Sequence, residues 1–217
     1  MRAVCRELDI LFVADEVITG FGRTGPLFAC SEEGVVPDML TVAKGLTSGY
    51  VPMGAVFLSD HVYDVIADGA GAAVVGHGQT YSAHPVSAAV ALACLYLYEG
   101  GLLENGVKMG ARLLAGLNGL ADHPLVGEVR GRGMLAAIEL VTDKDRKTPL
   151  PAAAAPATRI FDRAWRNGLV IRAFAQGVLG YAPPLCCTEA EIDQIVARTR
   201  LTLDQTLADP DVRAAMA

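Results

Sequence analysis

Ile10-Leu11-Phe12-Val13-Ala14-Asp15-Glu16-Val17, followed twenty-nine residues after its aspartate by Lys44 in Val42-Ala43-Lys44-Gly45, is the stretch on which the reading of this chain turns. The run from Ile10 to Ala14 is apolar and short, the length and texture of a buried strand, and Asp15 stands just past its end. Met39 to Ala43 has the same texture, and Lys44 stands just past it. A lysine amine condenses with an aldehyde as a Schiff base, and a carboxylate keeps a ring nitrogen protonated. Two such groups at two strand ends are therefore a candidate site. An apolar strand closed by Asp-Glu also occurs in P-loop ATPases, but those need a GxxxxGK[ST] phosphate loop, which this sequence lacks.

Outward from that pair, apolar runs alternate with helical patterns, the rhythm of an α/β sheet with crossover helices. Leu11 to Ala14 reads as a strand buried on both faces, Met39 to Ala43 as a second strand and Gly54 to Ser59 as a third. Pro85 to Tyr98 reads as a helix opened by His84-Pro85, since proline suits the first helical position, and it is too apolar for a free surface. Gly100 to Ala121 continues as an amphipathic helix with Leu102, Val107, Leu113, Leu114, Leu117 and Leu120 near one face.

After His123-Pro124 the texture changes. Val126 to Arg130 and Met134 to Val141 read as strands flanking Gly131-Arg132-Gly133, and Ala152 to Pro156 as a small-residue linker. Ala157 to Asn167 is a helix closed by Gly168. Leu169 to Ala173 and Val178 to Tyr181 follow as short strands. Thr188 with Glu191 three residues on forms a capping box for a final helix. The expected division is a larger α/β domain over 1–104 and a connecting helix with a smaller α+β domain over 105–217.

Composition bounds the function. The 217 residues are 52% hydrophobic, which supports a substantial core and excludes disorder. A net charge of −6 without a basic block speaks against nucleic acid as a partner. The five cysteines lack CxxC spacing, so metal or redox work is not indicated and they read as small buried hydrophobes in a reducing compartment. No apolar run reaches the roughly 18 residues of a membrane span, and Met1 to Glu7 is not a signal peptide. A cytoplasmic location is the expectation. Lysines are only four, Lys44, Lys108, Lys144 and Lys147, so Lys44 stands alone in the first 107 residues, where solubility would favour several.

Asp15 to Gly25 (DEVITGFGRTG), Pro37-Asp38, Ala43-Lys44-Gly45-Leu46, His77 to Pro85 (HGQTYSAHP), Val129 to Met134 (VRGRGM) and Ala182 to Leu185 (APPL) together resemble the class III aminotransferases of pyridoxal phosphate (PLP) fold type I, in order and over nearly the whole chain. The resemblance implies PLP as cofactor. It places Asp15 against the pyridine nitrogen, Val17 against the ring, and Lys44 as the Schiff-base lysine that then moves the substrate proton. It implies that Thr80 reaches the cofactor phosphate of a neighbouring subunit, hence a homodimer, and that Arg172 binds the substrate carboxylate. Glu16, on the opposite side of the strand from Asp15, is expected to be structural, as are His77 and His84; Arg23 and Arg130 are expected to hold backbone in Gly-rich loops.

The nearest branch by texture is the ω-amino acid:pyruvate and amine:pyruvate type, while ornithine, 4-aminobutyrate and diamino acid transaminases, an aminomutase and a decarboxylase share the framework. Members of the family are about twice as long, the difference lying before Asp15, where the phosphate-cradling turn and the ring-stacking aromatic belong. Two functions therefore stay open: a transaminase completed by an N-terminal partner half, or a non-catalytic fragment that binds the cofactor weakly.

Overall fold

The computed structural model describes residues 1–68 and 78–217. The sequence reading of His77 lies outside them. Two compact units divide the chain, Met1–Leu103 and Glu104–Ala217.

The first unit contains α1 (Arg2–Glu7), β1 (Val13–Asp15), α2 (Ala29–Glu32), β2 (Met39–Val42), a 3-10 turn at Lys44–Leu46, β3 (Ala55–Leu58), α3 (Asp60–Ala67) and α4 (Pro85–Leu97). Its sheet runs β1-β2-β3, with β1 parallel and β3 antiparallel to β2. Asp38 sets where β2 starts: its carboxylate accepts from the Arg2 guanidinium and, at 2.7 Å, from Phe12 N. α1 is thereby tied to the entry of both parallel strands. As the sequence indicates, α4 opens with Pro85 at its first turn, and the His84 side chain caps it by accepting from Ser87 N through Nδ1 at 3.4 Å.

One expectation is corrected here. The first strand is not buried on both faces: Leu11 and Val13 are about half exposed, as are Val56, Phe57 and Leu58 of β3. The apolar pattern is that of an interior sheet, but among the described residues only three strands share it and those side chains stay exposed. A second expectation also changes. The helical stretch Pro85–Asn118 contains 18 residues of mean hydropathy 1.6, so it is long and apolar enough by length and composition to cross a membrane, as the core helix of a multilayer protein also is. The charges that interrupt it are few, and Gly101, at φ 107°, breaks its regular geometry.

The second unit is built from α5 (Leu103–Asn118), β4 (Val126–Arg132), β5 (Leu135–Asp143), β6 (Thr148–Pro149), α6 (Ala157–Arg166), β7 (Arg172–Ala173), β8 (Val178–Tyr181), α7 (Glu189–Leu207) and α8 (Pro210–Met216). The strands run β4-β5-β8-β7, each antiparallel to its neighbour, with β6 against β5. Alternation of half-buried and buried residues from Leu135 to Leu140 of β5 marks a sheet with one face on a core. Leu113 and Leu117 of α5, Ile138 and Leu140 of β5, Ile160 of α6 and Leu203 of α7 are buried there. Burying one such side chain contributes on the order of 1.5–3 kcal/mol. α5 comes so close to the β4–β5 turn that a Cβ on Gly110 would lie 2.5 Å from the Gly133 carbonyl carbon, and only glycine fits.

The capping box at Thr188 and Glu191 forms as read from the sequence, and Gly168 closes α6 at φ 72°. The stretch read as a linker contributes to the core instead, since Ala154 and Ala155 are buried: small side chains let the backbone pack closely. Among the described residues Arg130 pairs with carboxylates and not with backbone. Its guanidinium lies 2.6 Å from the Glu139 carboxylate on the neighbouring strand, a cross-strand charge pair.

Candidate active site

The parallel register of β1 and β2 sets Asp15 opposite Thr41, three residues before Lys44. Glu16 N donates to Thr41 O at 2.9 Å, extending the pairing one residue past β1. Both groups singled out in the sequence thus emerge at the same edge of the sheet, the carboxyl end of two adjacent parallel strands, where α/β folds place ligands.

Asp15 is exposed and held. Its Oδ1 accepts from Val17 N at 3.0 Å, a turn that carboxylates form with backbone two residues on, and from Thr41 Oγ1 at 3.1 Å. Among the described residues nothing donates to Oδ2. Val17 therefore orients the carboxylate through its backbone while its own side chain is half-buried beside it.

Glu16 faces the other way and is 3% exposed. Its Oε2 accepts from Thr19 Oγ1 and from Ala29 N at 3.0 Å, and its Oε1 from Cys30 N at 2.7 Å. Burial pushes this carboxyl up, but the three donors outweigh it and hold the group below the usual carboxylate range. The charge closes the loop over 19–30 against the end of β1.

Lys44 opens the 3-10 turn with φ +42°, a left-handed conformation that costs a non-glycine residue on the order of 1–2 kcal/mol. Its amine is exposed and has no hydrogen-bond or ion-pair partner among the described residues. Immediately after it, Gly45 lies against Phe21: a Cβ there would be 2.6 Å from Phe21 Cβ. The Tyr98 hydroxyl donates to Gly45 O at 2.7 Å and lies 3.1 Å from Ser48 Oγ. Neither Phe21 nor Tyr98 was singled out by the sequence reading. A signal existed for Tyr98, a hydroxyl-bearing ring at the end of an otherwise apolar helix, but nothing in the sequence names its partner.

Thr80 begins the turn that leads into α4, exposed, with Ser82 N donating to Gln79 O and Gln79 N to Ser82 Oγ around it. A cleft of ≈ 610 Å³ in the first unit is bordered by Val51 to Gly54 on one side and by Gln79, Tyr81 to His84, Val86 and Ser87 on the other. Arg172 belongs to the second unit, where it lines a larger cleft of ≈ 1180 Å³ with Phe174, Tyr181, Pro183 and Arg198. Its guanidinium carbon lies 5.7 Å from the centre of the Phe174 ring, a cation–π contact, and it has no carboxylate partner among the described residues.

Comparison with known proteins bears on this arrangement. The family model for aminotransferase class-III matches residues 1–203. A diaminobutyrate–2-oxoglutarate transaminase of Halomonas elongata is 42% identical over 209 residues, covering 94% of this chain and 45% of that protein. A putrescine–pyruvate aminotransferase of Pseudomonas aeruginosa is 41% identical, covering 96% and 45%. Among solved structures, an (S)-enantioselective omega-transaminase of Thermomicrobium roseum superimposes with a TM-score of 0.90 at 42% identity, over 95% of this chain and 46% of that one. An amine transaminase of an uncultivated Pseudomonas species, in a PLP-bound internal aldimine form, does so at 0.90 and 40%, over 94% and 47%. The chain spans about half the length of the relatives it matches. Its fold is part of the large domain of the type I PLP-dependent transferases followed by a small α+β domain. With the match running through all but the last residues, the chain belongs to the class III aminotransferases.

Proposed function

We propose that this chain carries the cofactor-anchoring part of a transaminase that moves an amino group from an ω-amino acid or amine to a keto acid such as pyruvate. The observation that supports this best is the parallel β1–β2 pair, which delivers an oriented carboxylate and an unpartnered amine to one sheet edge. The residues fit PLP at two of its ends. Asp15 Oδ2 is left to accept the pyridine N–H, and its negative charge favours the protonated ring. Lys44 Nζ meets the aldehyde. Bound there, PLP supplies an aldehyde that condenses with amines and a ring that withdraws electrons.

The chain's own groups then have distinct tasks. Val17 holds Asp15 in place through its N–H, and its half-buried side chain would give the ring an apolar surface. With PLP held there, Lys44 Nζ would be the group that carries a proton from the amine-bearing carbon and returns it on the other side of the transfer. The Thr80 hydroxyl would hold the cofactor phosphate of a neighbouring subunit, and the working species would then be a homodimer. The Arg172 guanidinium, exposed in its cleft and resting on Phe174, binds the substrate carboxylate by two parallel hydrogen bonds.

A second reading, a fragment that holds the cofactor only when further polypeptide joins it, is favoured by a specific observation. Val56, Phe57 and Leu58 of β3 and Val86, Leu92, Tyr96 and Leu97 of α4 are exposed. Apolar surface of that extent marks an association face. One experiment separates the readings: titrate the 217-residue chain with PLP by absorbance, then add an amine and pyruvate, alone and with the remaining length of the family fold supplied as a second chain. A saturable visible band followed by ketone release supports the transaminase, and the band appearing only with the second chain supports the fragment. A flat spectrum in both arms contradicts the proposal.

A further inference from the structure

Lys44 and Ser48 both adopt positive φ, +42° and +50°, the first opening the 3-10 turn Lys44–Leu46 that presents the amine and the second lying two residues past its end. Two left-handed non-glycine residues so close together persist only where surrounding groups over-determine the backbone. One side chain touches both this turn and Ser48 just beyond it. Tyr98, 5% exposed at the end of α4, donates its hydroxyl to the carbonyl of Gly45, so Ser48 Oγ is the donor in its second hydrogen bond. Its ring stacks on Phe21, with centroids 5.7 Å apart and planes 28° apart. Phe21 in turn fills the space that a Gly45 side chain would need. Phe21 sits in the loop closed by Glu16, the residue next to Asp15. A continuous path of packed rings and hydrogen bonds thus runs from the carboxylate's strand, through Phe21 and Tyr98, to the lysine's turn.

We propose that Tyr98 is a positioning residue: it fixes the turn that carries Lys44 at the separation from Asp15 that a pyridine carbaldehyde spans. The inference rests on the assignment of Lys44 and Asp15 to PLP made above. It differs from a structural role in what it controls. A merely structural tyrosine changes how much folded protein exists, whereas a positioning tyrosine changes the lysine's preference for an aldehyde whose ring reaches Asp15. An aldehyde that engages the amine alone is indifferent to that separation.

The test uses the 217-residue chain, pyridoxal, and salicylaldehyde, which keeps the hydroxyl beside the aldehyde but has no ring nitrogen. After borohydride trapping, peptide mass mapping gives the labelling of Lys44 by each aldehyde, with Lys108, Lys144 and Lys147 as internal references. In the unsubstituted chain Lys44 favours pyridoxal relative to the reference lysines, and Asp15→Asn removes that preference. Tyr98→Phe keeps the ring and loses both hydrogen bonds, and is expected to lower the preference roughly tenfold, the scale of two ordinary net hydrogen bonds. Ser48→Ala, at an exposed residue that does not threaten folding, loses one of them and is expected to lower it roughly threefold. An unchanged preference in Tyr98→Phe, or in Ser48→Ala if the former does not fold, overturns the positioning role while leaving the cofactor assignment standing. Absence of any pyridoxal preference in the unsubstituted chain, both alone and with the remaining length of the family fold supplied as a second chain, overturns the cofactor assignment and the positioning role with it.

Discussion

The two units bury their apolar residues to very different ends. In the first, the buried apolar residues among those described are Phe21, Val42, Leu46, Ala91, Cys94 and Tyr98, and four of these flank the Lys44 turn. The second has a sheet with one covered face, α5, α6 and α7 packed on it, and a run of fully buried side chains from Leu113 through Ile138 to Leu203. One unit is a core that stands on its own contacts. The other spends its small core on holding a single turn, and leaves the apolar faces of β3 and α4 open. The chemistry proposed for Asp15 and Lys44 falls in the unit that is the less self-sufficient.

Truncations sharpen that contrast. Ile138→Ala, in the second core, is expected to cost about 2–5 kcal/mol in urea unfolding followed by the fluorescence of Trp165, because the hole cannot collapse around a residue that is 0% exposed. Phe57→Ala removes a larger side chain from the first unit yet should cost less than about 1 kcal/mol, since that ring is 52% exposed and has little packing to lose. Equal losses would break the comparison. Within the first unit the Lys44 turn is the exception: Gly45→Ala forces a Cβ into Phe21 and is expected to cost about 1–3 kcal/mol, measured by far-UV circular dichroism, in a region otherwise tolerant of change. Thr188→Ala, which removes the capping box of α7, should cost about 1 kcal/mol, a local effect on a unit with core to spare.

Acid is expected to reverse the order. Burial pulls the His123 imidazole below its ordinary 6.5, with Asp204 only partly offsetting it. The unfolded chain therefore takes up that proton first, and stability present above about pH 6.5 is lost as pH falls toward the folded value. In the first unit, the hydrogen bonds from Arg2 and then from Phe12 N hold Asp38 down to about 2. Its contribution is present above the ordinary carboxylate value of 3.8 and is lost only as pH falls from there toward about 2. In an acid titration, Trp165 fluorescence should respond before the first unit's circular dichroism does. The opposite order contradicts the assignment of those two groups.

What the sequence made legible was local. The strands ending at Asp15 and Lys44, the Pro85 helix start, the Gly168 cap and the Thr188-Glu191 box each write their structure into a few adjacent residues. The opposite orientations of Asp15 and Glu16 follow from strand alternation alone. α8 was legible too, in the Asp209-Pro210 pair that caps it, and went unread. The remainder depends on partners far along the chain. Tyr98 acts on a carbonyl fifty-three residues away, and Glu16 on amides thirteen and fourteen residues away, distances at which no periodicity carries information. The burial of β1 was misjudged for a related reason: an apolar strand reports the environment it was selected for, and a sheet of three strands supplies only part of it.

The central claim is that Lys44 and Asp15 hold the cofactor between them, and the most direct measurement is the site of covalent attachment. The chain is incubated with PLP, reduced with borohydride, digested and mapped by mass spectrometry. The account predicts the pyridoxyl mass on Lys44 well above Lys108, Lys144 and Lys147, with the selectivity lost in Asp15→Asn. Even labelling of the four lysines, or label concentrated on any of the other three, would contradict it.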